Sequence, residues 1–127
     1  MTVLDASAVL AWLKAEPGAE QVQAALDRGD AVISAVNLAE VLSRFQDAGH
    51  DLRAVAQDLE VSGLRTLAFD REGAVESGVL RDVTRAAGLS LGDRACLALG
   101  QALGRPVLTA DRAWATLGLP GEVTVIR

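Results

Sequence analysis

Short apolar segments alternate with helical periodicities along the whole chain, and this alternation restricts the possible folds more than any other feature. Thr2–Leu4, Ala31–Ile33, Leu64–Phe69, Pro106–Thr109 and Val123–Ile126 read as strands. Between them the spacing predicts helices over about Ala6–Ala15, Ala19–Arg28, Ala35–Ala48, Leu52–Val61, Glu72–Ala87 and Leu91–Leu103, with a short one at Arg112–Leu117. Pro17–Gly18 stops the first, and Gly29, Gly49, Gly63, Gly88 and Gly104 follow the ends of the next five. Strands separated by helices need crossover connections, so the expected class is α/β, with a mainly parallel sheet covered on both faces. In such sheets ligands bind beyond the carboxyl ends of the strands.

The bulk properties fit one domain spanning residues 1–127. Half of the residues are hydrophobic and only Trp12, Phe45, Phe69 and Trp114 are aromatic, which favours a helix-rich interior of small aliphatic side chains. The lone cysteine, Cys96, has no partner for an internal disulfide, so a reducing, cytoplasmic compartment is expected. No apolar run approaches the roughly 18 residues a membrane span needs, and no charged segment precedes the N-terminal apolar run as in a signal peptide. Net charge is −5, with 17 acids against 12 bases, which argues against broad nonspecific nucleic-acid binding while leaving room for a local basic rim.

Four acids carry the chemistry. Asp5 and Asp111 each stand where a predicted strand runs out, and Asp93 stands in the first turn of the Leu91–Leu103 helix. Each has a bland explanation. Asp5 and Asp111 are in position to cap a helix, and Ser90-x-x-Asp93 has the form of a capping box. Between Leu91 and Gly104 only Asp93, Arg94 and Gln101 are polar, so that helix is expected to be buried nearly all round, its first turn opening into a cleft. Glu40 lies opposite the stripe of Leu38, Val41, Leu42 and Phe45, on a face shared with Asn37 and Arg44 that suits either solvent or a polar cleft. Capping accounts for the acids singly but not for their joint placement at one sheet edge. Carboxylates gathered there repel one another unless a cation neutralises them. Hard oxygen ligands around an open cleft suit Mg²⁺ or Mn²⁺, which can activate water and stabilise charge on a phosphoryl group. His50, between Gly49 and Asp51, reads as an exposed loop residue.

Four segments in order, TVLDASAVLAWL, ISAVNLAEVLSRF, LSLGDRACLALG and VLTADRAW, resemble the motifs of PIN-domain nucleases, above all the VapC-like toxins of bacterial toxin–antitoxin pairs. The likeness covers essentially the whole chain. It implies a three-layer sandwich around a five-stranded sheet and an endoribonuclease site dependent on Mg²⁺ or Mn²⁺. Asp5, Glu40, Asp93 and Asp111 match its catalytic, metal-binding acids, with Asp5 and Asp93 as first choices for direct ligands. Ser7 and Thr109 match small hydroxyl positions that bond the acids, and Asn37 matches a polar position one turn before the glutamate. Arg94 and Arg112, each directly after a site acid, are candidate phosphate contacts and equally candidates for ordinary surface arginines.

The resemblance further implies an RNA substrate, a cognate VapB-like antitoxin and a homodimer. Leu10, Trp12 and Leu13 with Leu38, Leu42 and Phe45 are either core or an apolar groove for an antitoxin helix. Two rivals stand beside this reading. A haloacid-dehalogenase-like phosphotransferase would use Asp5 as nucleophile, but its pattern wants an acid at Ser7 and a downstream lysine, and the only lysine is Lys14. A non-catalytic PIN-fold interaction module is the other, and retention of all four acids argues against it.

Overall fold

The computed structural model describes residues 1–119 and 121–127. Five strands, β1 (Thr2–Leu4), β2 (Ala31–Ser34), β3 (Arg65–Leu67), β4 (Val107–Thr109) and β5 (Val123–Val125), form one sheet in the order β3-β2-β1-β4-β5. Every neighbouring pair is parallel, a stronger result than the mainly parallel sheet expected. Among the described residues six α-helices supply the crossovers: α1 (Ala6–Leu13), α2 (Ala19–Asp27), α3 (Ala35–Asp47), α4 (Leu52–Val61), α5 (Arg71–Thr84) and α6 (Leu91–Leu103). The short helix expected at Arg112–Leu117 is a 3-10 helix over Arg112–Thr116.

Strand side chains alternate between two cores because successive residues point to opposite faces. Leu4, Ile33 and Leu108 pack with α1 to α4, where Ala8, Val9, Val22, Ala25, Val41 and Leu59 are buried. Val3, Val32 and Val107 face the other way, onto Leu80 of α5, Cys96, Leu97 and Ala98 of α6, and Trp114. This covering of both faces explains why the central strands carry no polar alternation.

Where the elements are shorter than predicted, the cause is visible. The β3 ladder ends at Leu67 because its partner residue Ser34 closes β2 and caps α3, leaving Ala68 and Phe69 nothing to pair with. Helix α1 ends at Leu13, and Ala15 beyond it turns left-handed at φ +53°. Helix α5 ends at Thr84, and Arg85–Gly88 continue as turns. Gly18 opens α2 at φ +95°, and a Cβ there would stand 2.5 Å from the carbonyl oxygen of Ile126, so only glycine lets the end of the chain lie against α2. Among the described residues no helix is long and apolar enough to cross a membrane.

Candidate active site

Strand β1 runs directly into Asp5, and β4, its neighbour in the sheet, is followed two residues on by Asp111. The parallel ladder therefore brings acids 106 positions apart in sequence to one edge. Helices α3 and α6 deliver Glu40 and Asp93, and all four acids, with Ser7, line a single cleft of about 830 Å³. A second cavity of about 540 Å³, between β3, α5 and α6, holds none of them.

Asp5 is the deepest of the four. It occupies the position before α1, yet its carboxylate makes no capping bond. Ser7 Oγ donates to Asp5 Oδ2 at 2.6 Å, and Thr109 Oγ1 donates to the same oxygen at 2.8 Å. Both hydroxyls are oriented by backbone, the Ala110 N–H donating to Ser7 Oγ and the Asp111 N–H to Thr109 Oγ1. Among the described residues Asp5 Oδ1 receives no hydrogen bond. Burial pushes the Asp5 carboxyl up to about 6 against the two hydroxyls that pull it down, and the negative charges of Asp93 and Glu40 add to the rise.

Glu40 is half-buried, and Asn37 Nδ2 donates to its Oε2 at 2.9 Å and to the Gly92 carbonyl at 2.9 Å. The helical wheel placed Asn37 on a polar face, but it is fully buried, because α6 packs against that face of α3. Asp93 completes a capping box with Ser90, its Oδ2 accepting the Ser90 N–H at 2.9 Å. Asp111 accepts the Ala113 N–H at 3.0 Å. The capping role suggested for these two is thus real and coexists with their place on the cleft wall. Helix α6 is buried along Ala95–Ala98, whereas Leu91 is 55% exposed and Gln101 and Ala102 face solvent, so it is not buried all round. Cys96 lies within reach of the charges of Asp5, Asp93 and Glu40, and burial holds its thiol protonated and inert.

The donor set is hard oxygen throughout, and three of the acids interact electrostatically. Among the described residues no three such side chains already converge as a metal cage. Mg²⁺ does not demand one, since it takes one or two carboxylates and keeps its waters. The residues that line the cleft fit that kind of ion in the chemistry of their donors.

The candidate basic contacts separate. Arg94 turns to α5, where its Nη1 donates to the Ser77 carbonyl at 2.9 Å. Arg112 lies beside Ser7, Asp111 and Arg127 in a shallow cavity next to the cleft, its Nε donating to the Arg127 carbonyl at 3.1 Å. The cleft wall itself carries Lys14, Arg44 and Arg127, none of which stood out as a phosphate contact in the sequence. Arg44 was within reach of the helical wheel, one turn past Glu40. Arg127 had no local signal, because only the pairing of β5 with β4 brings it there. Leu10, Trp12, Leu13, Leu38, Leu42 and Phe45 are all half-buried.

Residues 2–118 match the sequence profile of the PIN domain. The chain belongs to the PIN-domain family. This PIN domain is 33% identical over 114 residues to Ribonuclease VapC42 of Mycobacterium tuberculosis and to a VapC ribonuclease of Mycobacterium bovis, spanning 84% of this chain and 87% of each relative. A toxin–antitoxin complex from Klebsiella pneumoniae superposes with a TM-score of 0.75 at 21% identity, over 100% of this chain and 98% of that one. A DNA-bound VapBC from Salmonella typhimurium gives a TM-score of 0.75 at 19% identity, over 99% and 98%. The PIN domain therefore has the fold the four motifs implied, and the phosphotransferase reading of Asp5 falls with the family assignment.

Proposed function

We propose that this PIN domain, residues 1–127 as one unit, is a divalent-metal-dependent endoribonuclease and the toxin of a VapBC-type pair. The observation that carries the reading is the convergence of Asp5, Glu40, Asp93 and Asp111, drawn from four separate motifs, on one cleft at the carboxyl edge of the sheet. Relatives named as VapC ribonucleases match over most of both chains, which supports RNA as substrate and a cytoplasmic setting. Structural likeness to toxin–antitoxin complexes supports a VapB-like antitoxin.

Asp5 and Asp93 would hold Mg²⁺ or Mn²⁺ directly, and Glu40 and Asp111 would bind it directly or through water. A metal held there would supply an activated water for an RNA phosphodiester and positive charge for the phosphate. The chain does the rest. Ser7 and Thr109 occupy Asp5 Oδ2 and so leave Oδ1 toward the cleft. Lys14, Arg44 and Arg127 on the cleft wall, with Arg112 beside it, steady the phosphates that flank the cut within a protein of negative net charge.

Incubation of the purified protein with labelled RNA, with Mn²⁺ or with EDTA, tests the reading. Cleavage appears only with the metal and drops at least a hundredfold in Asp5→Asn. Full activity in that variant sinks the assignment, and a folded wild type that binds Mn²⁺ but never cuts RNA favours the interaction module. Co-expression with the adjacent small open reading frame tests the toxin role separately. A neighbour that neither co-elutes nor inhibits removes that role and leaves the nuclease standing.

A further inference from the structure

The Glu40 carboxylate is held by a device the chemistry above does not use. Glu40 and Asn37 are three residues apart and so share a face of α3. Asn37 has no exposed surface, and its amide nitrogen spends both hydrogens, one on Glu40 Oε2 and one on the carbonyl of Gly92 in the first turn of α6. Reversing the amide would set its oxygen against two acceptors, so this orientation is the only one that pairs. Its own Oδ1 is buried and finds no partner among the described residues.

Gly92 completes the device. A Cβ built on it would stand 2.5 Å from Glu40 Cδ and 2.6 Å from Glu40 Oε2, with Oε1 nearer still. Gly92 sits within α6, so no special backbone conformation calls for glycine there, and alanine is the better helix former. The missing side chain is explained by the room the carboxylate takes. That carboxylate also rests on the first turn of α6, the positive end of the helix.

We propose that Asn37 and Gly92 are positioning residues that clamp Glu40 onto α6, so that the packing of α3 on α6 sets where the fourth acid stands relative to Asp5 and Asp93. Asn37 pulls the carboxylate in and Gly92 leaves it space. The inference rests on Glu40 being part of the nuclease site, and its test separates the two.

The test compares wild type, Gly92→Ala, Glu40→Asp and the double variant, by Mn²⁺-dependent RNA cleavage, thermal unfolding without metal, and a metal-free crystal structure of Gly92→Ala. The atoms a Cβ displaces lie at the end of a flexible side chain, so Gly92→Ala folds, with the helix propensity of alanine offsetting in part the hydrogen bond lost at buried Asn37. Its cleavage falls at least tenfold. In the Glu40→Asp background, where the shorter side chain withdraws from α6, the same substitution changes cleavage less than twofold. Equal losses in the two backgrounds, or a Gly92→Ala variant as active as wild type, overturn the clamp. In the crystal the Glu40 carboxylate leaves Asn37 Nδ2. A carboxylate still seated on Asn37 overturns the clamp as well, and this readout holds even if the wild type cleaves no RNA.

Discussion

Asp5 shows how one side chain can weaken a fold for the sake of its site. Its carboxyl titrates near 6 in the folded protein against 3.8 in a free chain, with burial as the first cause. The folded state therefore holds a proton between those values that the unfolded state has released, and stability falls as pH rises through that window. Above pH 6 the full penalty of an ionised buried acid applies, roughly 3 kcal/mol. Asp5→Asn keeps an oxygen for the Ser7 and Thr109 hydroxyls and removes the charge. The variant is expected to be more stable than wild type at pH 7.5 without metal, and the advantage to shrink toward pH 4. Urea unfolding at the two pH values reads this, and an advantage that grows as pH falls contradicts it. The place of Asp5 on the cleft was legible because it ends a strand at the ligand edge, whereas its hydroxyl pair follows from a ladder joining residues 5 and 109, which only the resemblance could anticipate. For Asn37 the sequence left solvent and a polar cleft both open, since a helical wheel cannot show that a second helix packs on the polar face.

At the scale of elements, the helix starts do two jobs at once. Ser90 and Asp93 close both ends of a capping box on α6, while Asp93 also lines the cleft. Ser90→Ala removes the acceptor for the Asp93 N–H and should destabilise by about 1 kcal/mol, read as a lower urea midpoint with an unchanged slope. A change under about 0.3 kcal/mol, a fraction of the usual cap, would show that the box contributes nothing. The helices α4 and α6 were legible to the residue because caps, periodicity and a following glycine agree at Leu52–Val61 and Leu91–Leu103. Strand ends were less legible, because a ladder stops where its partner stops. Nothing in Leu64–Phe69 reports that β2 turns into α3 at Ser34.

For the molecule as a whole, the proposed metal site predicts that stability depends on metal concentration. With a net charge of −5 and three interacting carboxylates at one edge, the metal-free fold works against its own field. A cation that binds only the folded state stabilises by RT ln(1 + [L]/Kd), so each tenfold rise in free Mn²⁺ above its dissociation constant adds about 1.4 kcal/mol. For a domain of this length that is a rise in Tm of about 3–6 °C per decade. EDTA returns the wild type to its metal-free Tm. In Asp93→Asn the midpoint of the response shifts to higher Mn²⁺ by at least tenfold, while the metal-free Tm is equal or higher because one repulsive charge is gone. Thermal unfolding across a Mn²⁺ series separates the contributions, since removing a ligand lowers the metal response and relieving repulsion raises the starting point. Equal responses of wild type and Asp93→Asn at all concentrations would place the metal elsewhere on the protein. The cleft would then hold its acids for some purpose other than binding it.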